Sequence, residues 1–326
     1  MPMNFARTGL LLALLTGILL AMGAAVGGQS GLAIAFVAAL VMNVVSLWKS
    51  DTMVLRMFKA QEVDDRTAPE LVSLVRELAA RAELPMPKVY IMNSPQPNAF
   101  ATGRSPSNAA VCASTGLLEN LNKEEIAGVI AHELAHIKNR DTLTMAVAAT
   151  IGGAVSMFAQ YLQLGMIFGG GRNSDRGGLG MIGTLAAVIV APLAAMLVQM
   201  AISRSREYQA DRMGAMITGN PLWLASALKK INVLARKIEN PRAEAIPAAA
   251  HMFIINPLNG HGFDNFFSTH PDVNNRVREL EELAREMGVT SASQVAADDT
   301  RAKPDARPGG VWIAGENRAK SRGPWG

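Results

Sequence analysis

Two of the chain's 5 histidines stand four residues apart in His132-Glu133-Leu134-Ala135-His136. Imidazoles at i and i+4 share one helix face, so both can reach a single tetrahedral metal ion. Glu133, one step from the first histidine, is placed to reach a water on that metal and not the metal itself. This is the ligand-and-base arrangement of a zinc hydrolase. A chance H-E-x-x-H is expected in about one chain in a hundred or fewer at this histidine content. A buried His pair beside a buried Glu would also be costly unless a cation compensated it.

Zinc of this kind takes three protein ligands and keeps one position open. The compact extension, with a third His six residues on, fails here: Thr142 stands at that place and Asn139 stands where Gly is needed. The third ligand must come from farther along. Glu207 stands out because Glu207 and Asp211 form an i, i+4 pair at the start of a polar helix. That spacing suits a metal ligand plus a carboxylate that orients a ligating histidine. Spacing alone leaves open a plainer reading, a surface pair with Arg204, Arg206 or Arg212.

The elements that must position these residues can be read around them. Asn122, with Glu125 at the third helical position, caps the His-bearing helix, and Ile126, Val129, Ile130, Leu134 and Ile137 make it apolar. Thr67 and Glu70 read as a second capping box, before Leu71, Leu74, Val75 and Leu78 at helical spacing; Pro85 and Pro87 close that helix. Strands are expected at 88–92, 98–102 and 109–114, with Gly103 and Pro106 in the turn between the last two.

The composition places this unit in a membrane. Of 326 residues, 49% are hydrophobic and 18% charged, and mean hydropathy is +0.17. Soluble chains average about 25% charged residues. Cys112 is the single cysteine, which excludes a disulfide scaffold. The formal charge of +4 is spread out, with no aromatic-interleaved basic patch, so no nucleic-acid partner is expected.

Thr8 to Trp48 carries no charge; as one helix it would be about 60 Å long, roughly twice a bilayer's hydrocarbon core. The Gly27, Gly28, Gln29, Ser30 break divides it into a transmembrane hairpin. A signal peptide is disfavoured because no clean cleavage site follows and a second apolar run comes at once. Arg7 before it and Lys49, Arg56 and Lys59 after it place both ends in the cytoplasm by the positive-inside rule. Two further uncharged stretches, 142–171 and 177–203, read as a second hairpin, the alternative being a helix pair buried in protein or only dipping into the bilayer. An even number of crossings then separates His132 from Glu207, as a shared metal requires. The chain therefore divides into a first hairpin (1–49), protease segments at 50–141 and 204–290, a second hairpin (142–203) and a disordered tail (291–326). The fold class expected is mainly α: two transmembrane hairpins and an α+β zincin-like cytoplasmic domain with a small antiparallel edge-strand sheet.

These residues resemble a known family. The H-E-x-x-H helix, the run Ser203-Arg204-Ser205-Arg206-Glu207-Tyr208-Gln209-Ala210-Asp211, the earlier Pro97-Asn98-Ala99-Phe100-Ala101-Thr102-Gly103 and the later Ser268-Thr269-His270-Pro271 are similar to the HtpX heat-shock protease group. That group is the bacterial membrane branch of the zinc endopeptidases that include CAAX prenyl endopeptidases. The likeness runs to about residue 288 and departs at Asp272, where the family repeats proline.

The resemblance implies that one Zn²⁺ per chain is held by His132, His136 and Glu207, with Asp211 behind them and Glu133 as the base. It implies that Asn98, Ala99, Phe100, Ala101 and Thr102 form an active-site edge strand to which substrate adds. It suggests that His270 approaches the zinc from the side opposite Glu133, the plainer reading being a helix-entry residue before Pro271, and it matches Arg276 to a family arginine with no role assigned. His251 and His261 read as surface or structural histidines. The expected activity is endoproteolysis of misfolded or damaged membrane proteins at the cytoplasmic face of the bacterial inner membrane. The competing expectation is a catalytically silent membrane scaffold of the same fold. A transporter is disfavoured because the spans carry almost no polar functional groups.

Overall fold

The computed structural model describes residues 2–149, 204–238, 240, 252–255 and 271–289. It opens with α1 (Pro2–Met57), which is interrupted at Gly28 by φ 56° and ψ −137°. Those angles are open to glycine and strained for other residues, and the chain folds back there. A Cβ on Gly31 would run into the carbonyl oxygen of Gly23, so the two arms touch backbone to backbone. Farther along, Asn43 Nδ2 donates to Thr16 Oγ1 across the arms at 2.9 Å. Within α1, Gly28–Met57 is long and apolar enough to cross a membrane, the one such helix among the described residues. Ile34, Val37, Leu40, Val41 and Trp48 are exposed along it. The second expected hairpin lies outside the described residues, except for the helical start at 142–149; the tail at 291–326 lies outside them too. At that start, Thr144 Oγ1 meets Thr8 Oγ1 of the first arm at 2.9 Å.

The polar part comprises β1 (Gln61–Val63), α2 (Pro69–Arg81), β2 (Lys88–Met92), β3 (Ala99–Ser105), β4 (Asn108–Ser114), α3 (Thr115–Asn120) and α4 (Lys123–Lys138). After the insertion come α5 (Arg204–Thr218), α6 (Pro221–Ala235) and α7 (Val273–Glu286). The strands form one sheet in the order β1-β2-β4-β3. The sheet is mixed and not antiparallel as expected, because β2 and β4 run parallel. The cause is topological: β3 and β4 form a hairpin that docks through its second strand, leaving β3 at the edge. Side chains alternate between two apolar layers. Val89, Ile91, Ala99, Ala101, Val111 and Ala113 pack with α2, α4 and α6, whereas Met92, Phe100, Ala110 and Cys112 pack with Val54, Leu55, Phe58 and Phe253.

Three local expectations differ from the structure. Pro69 occupies the first turn of α2, so Ala68 is its N-cap and makes no side-chain cap bond. Thr67 instead bonds with Asp64, its hydroxyl donating to Oδ1 at 2.9 Å. Proline preset for the first helical position thus outranks the Thr-x-x-Glu signal. Gly103 lies within β3, at a bulge with φ 140°, and the turn is at 106–107. A Cβ there would strike Ala109 Cα, so close approach to β4 explains the glycine. The short strand β1 was not expected; it lacks the apolar alternation that marks strands. The Asn122–Glu125 capping box, by contrast, is present in full.

Candidate metal centre

Helix α4 presents His132 and His136 on the face turned toward α5, and every residue from Glu125 to Ile137 is buried. Its N-terminus is fixed twice, since Glu125 also accepts from Ser226 Oγ at 2.6 Å and Lys230 Nζ at 2.8 Å on α6. Glu207, Asp211 and Gly214 share the facing stripe of α5 by their i, i+4, i+7 spacing. A Cβ on Gly214 would lie 2.9 Å from the His132 backbone nitrogen. Glycine therefore sets how closely the helices approach, and so how far Glu207 reaches.

The three side chains converge. His132 Nε2 and His136 Nε2 are 3.2 Å apart. Glu207 places Oε2 3.7 Å from the first and Oε1 3.5 Å from the second. Ligands bonded to zinc at about 2.0–2.1 Å in tetrahedral geometry stand roughly 3.4 Å apart. The donor set, two imidazole nitrogens and a carboxylate oxygen, is also the one zinc hydrolases use. The residues fit the ion.

Behind each histidine stands a carboxylate. Asp211 Oδ1 is 2.9 Å from His132 Nδ1, within hydrogen-bond distance although not aligned for a bond. Asp141 Oδ2 is 3.3 Å from His136 Nδ1. The i, i+4 pattern in the sequence marks Asp211 but not Asp141, which lies just beyond the helix and out of its period. Each carboxylate in turn meets an arginine. Arg276, fully buried, grips Asp211 through Nε at 2.8 Å and Nη2 at 2.6 Å. Its Nη1 donates to the Ile254 carbonyl and stands 3.6 Å from Glu207 Oε2. Arg206 Nη1 reaches Asp141 Oδ1 at 3.3 Å.

Burial would raise the Asp211 carboxyl, but the charge and hydrogen bonds of Arg276, helped by His132, hold it below the usual range. Burial pushes His132 down, against the pull of Asp211. His136 goes the other way, up to about 9, because Asp141, Glu207 and Glu133 outweigh its burial. Glu133 is pushed up to about 7, chiefly by burial and then by the Glu207 charge, with His136 opposing. Its carboxylate accepts a hydrogen bond from the backbone N–H of Ala101 on β3.

The expected edge strand is thus beside the base, and it is buried from Ala99 to Gly103. Asn98 does not face the metal: its Oδ1 accepts from the Ala99 and Ile254 N–H groups. The ring of Phe100 lies on the opposite sheet face, against Phe58 and Phe253. Thr102 is buried, and its hydroxyl has no hydrogen-bond partner among the described residues. His251, His261 and His270 lie outside the described residues.

Residues 65–284 match peptidase family M48. The chain belongs to that family. M48 peptidases are metal-dependent hydrolases of peptide bonds, and the His132, His136, Glu207 cluster is compatible with that requirement. The fold is also similar to a crystal structure of S. mikatae Ste24p, with a TM-score of 0.43 and 18% identity. That likeness covers 86% of this chain and 64% of the Ste24p chain, so this M48 protein spans less than two thirds of that relative.

Proposed function

We propose that this M48 peptidase is a membrane-anchored zinc endopeptidase of the HtpX type. The observation that carries the reading is the mutual spacing of His132 Nε2, His136 Nε2 and the Glu207 carboxylate, which suits one tetrahedral ion. When bound, zinc would polarise the scissile carbonyl and lower the pKa of a water. The remaining chemistry falls to the chain. Glu133 takes a proton from the attacking water and returns it to the leaving amine. The Ala101 N–H orients that carboxylate from β3. Substrate lies along Asn98, Ala99, Phe100, Ala101 and Thr102 as an added strand, held by backbone hydrogen bonds that tolerate many sequences. Because the ring of Phe100 faces the other layer, its contribution is through the main chain. His270 hydrogen-bonds to the developing oxyanion.

The apolar helix Gly28–Met57, with its exposed Ile, Val and Leu side chains, supports anchoring in a bilayer. In this reading 1–49 and 142–203 both cross it as hairpins, the positive-inside pattern of Arg7, Lys49, Arg56 and Lys59 supports a zinc site facing the cytoplasm, and the membrane we assign is the bacterial inner membrane. Loose strand-addition selectivity suits misfolded or damaged membrane proteins, the substrates we assign. Glu133→Gln tests the reading: the purified variant should hold one zinc per chain and lose casein cleavage by about 10²–10⁴-fold. Turnover near wild type, with contaminating protease excluded, would refute the mechanism, whereas a wild-type protein that holds zinc and cleaves no casein would favour a silent scaffold.

A further inference from the structure

We propose that Asp141 and Arg206 form the positioning pair for His136, acting on the metal site through that ring. The proposal rests on the three-ligand reading above. Helix α4 ends in a turn that few sequences would suggest: Arg140, a non-glycine residue, takes φ 58°. Its N–H donates to the Ile137 carbonyl at 3.1 Å, and the Asp141 N–H donates to the His136 carbonyl at 3.0 Å. Those two bonds make a complete Schellman motif. The motif folds Asp141 back over the last turn of the helix. Asp141 thus meets His136 twice, main chain to main chain and carboxylate to Nδ1 at 3.3 Å.

A buried carboxylate needs a cation, and Arg206 supplies it from the other side of the insertion. Both side chains are buried, and Arg206 directly precedes Glu207 on α5. One helix therefore carries the third ligand and the cation that steadies the carboxylate behind the second. The arrangement repeats the logic at His132, where the carboxylate comes from α5 and the arginine from α7. Carboxylates on the non-ligating nitrogen fix ring orientation and tautomer, and their loss typically costs 10–100-fold in metal affinity.

The test is a chelator competition for zinc on the full-length protein in detergent, with Co²⁺ absorption as the spectroscopic readout. Asp141→Asn should weaken zinc about 10–100-fold and shift the Co²⁺ bands. Arg206→Gln should weaken it less, and Arg206→Lys should recover most of that loss. In the double variant, Arg206→Gln should add almost nothing to Asp141→Asn, since the guanidinium acts through the carboxylate. Additive losses, or an Asp141→Asn protein with wild-type affinity and unshifted bands, would overturn the proposal. Should Asp141→Asn fail to fold, wild-type affinity in Arg206→Gln overturns it equally. His136→Ala tests the ligand reading separately: retained stoichiometric zinc there would remove the ligand, and with it the site this pair is said to serve.

Discussion

Arg276 closes on Asp211 with two parallel hydrogen bonds, Nε to Oδ2 at 2.8 Å and Nη2 to Oδ1 at 2.6 Å, both groups out of contact with water. The same guanidinium takes up the Ile254 carbonyl, and the Ile254 N–H donates to Asn98. One buried arginine thereby links α7, the 252–255 segment and β3 to the carboxylate behind His132.

Arg276→Met should therefore destabilise the protein by about 3–5 kcal/mol, the usual cost of stranding one member of a buried ion pair. Arg276→Lys should recover only part of this, because an ammonium cannot make the paired bonds. The depressed Asp211 carboxyl gives stability that is present above the ordinary carboxylate pKa and lost as pH falls through its lowered value. Thermal unfolding of the metal-free proteins should show that acid dependence weakened in Arg276→Met. An unchanged profile would mean that the pair contributes nothing to folding.

How much of this was legible in the sequence depends on distance along the chain. His132, Glu133 and His136 declare themselves because a helix brings i and i+4 together. Glu207 and Asp211 show the same period but need a partner to be distinguished from a surface pair. Arg276 stands about 65 residues beyond Asp211, and no local pattern marks the contact. Asp141 is nearer, yet a left-handed turn at Arg140 takes it off the helical period. The antiparallel expectation for the sheet failed for a similar reason, since strand order is decided by which strand of the β3–β4 hairpin docks on β2.

Gly214→Ala should push α5 from α4. The new methyl would sit 2.9 Å from the His132 nitrogen and 3.1 Å from its Cα, and backbone atoms cannot rotate away. A loss of about 1–3 kcal/mol in stability is expected. Zinc affinity should fall with it, because Glu207 rides on the displaced helix. A wild-type melting temperature and affinity would show that the helices are free to separate.

Zinc affinity should rise with pH. In the metal-free protein His136 is held protonated up to about 9 by Asp141, Glu207 and Glu133, although burial opposes this. An incoming cation must displace that proton, so affinity should increase by up to about tenfold per pH unit between pH 7 and 9 and then level off. His132, with its lowered pKa, contributes no such dependence in that range. Titrations in buffers of different ionisation heat should detect the released proton. Flat affinity across the range would contradict the exchange.

Phe253 packs edge-on against Phe58 and Phe100, with centroids 5.0 and 6.0 Å away. Phe253→Ala should cost about 3–5 kcal/mol. It should also speed amide hydrogen exchange across 99–103, since the 252–255 segment is tied to the start of β3. Exchange unchanged at those amides would show that the segment does not protect the strand.

The two histidines and the glutamate stand on opposite sides of 142–203, and this has a consequence in time. At roughly 5–20 residues per second, a ribosome delivers Glu207 several seconds after His136, with about 70 residues between them. On the proposed three-ligand reading, the nascent chain in that interval carries the base and only two of the three ligands. The late arrival of α5 brings the third ligand and Arg206 together, once the apolar insertion has been made. On the proposed reading, competence to cut would in this way be deferred until α5 has been made.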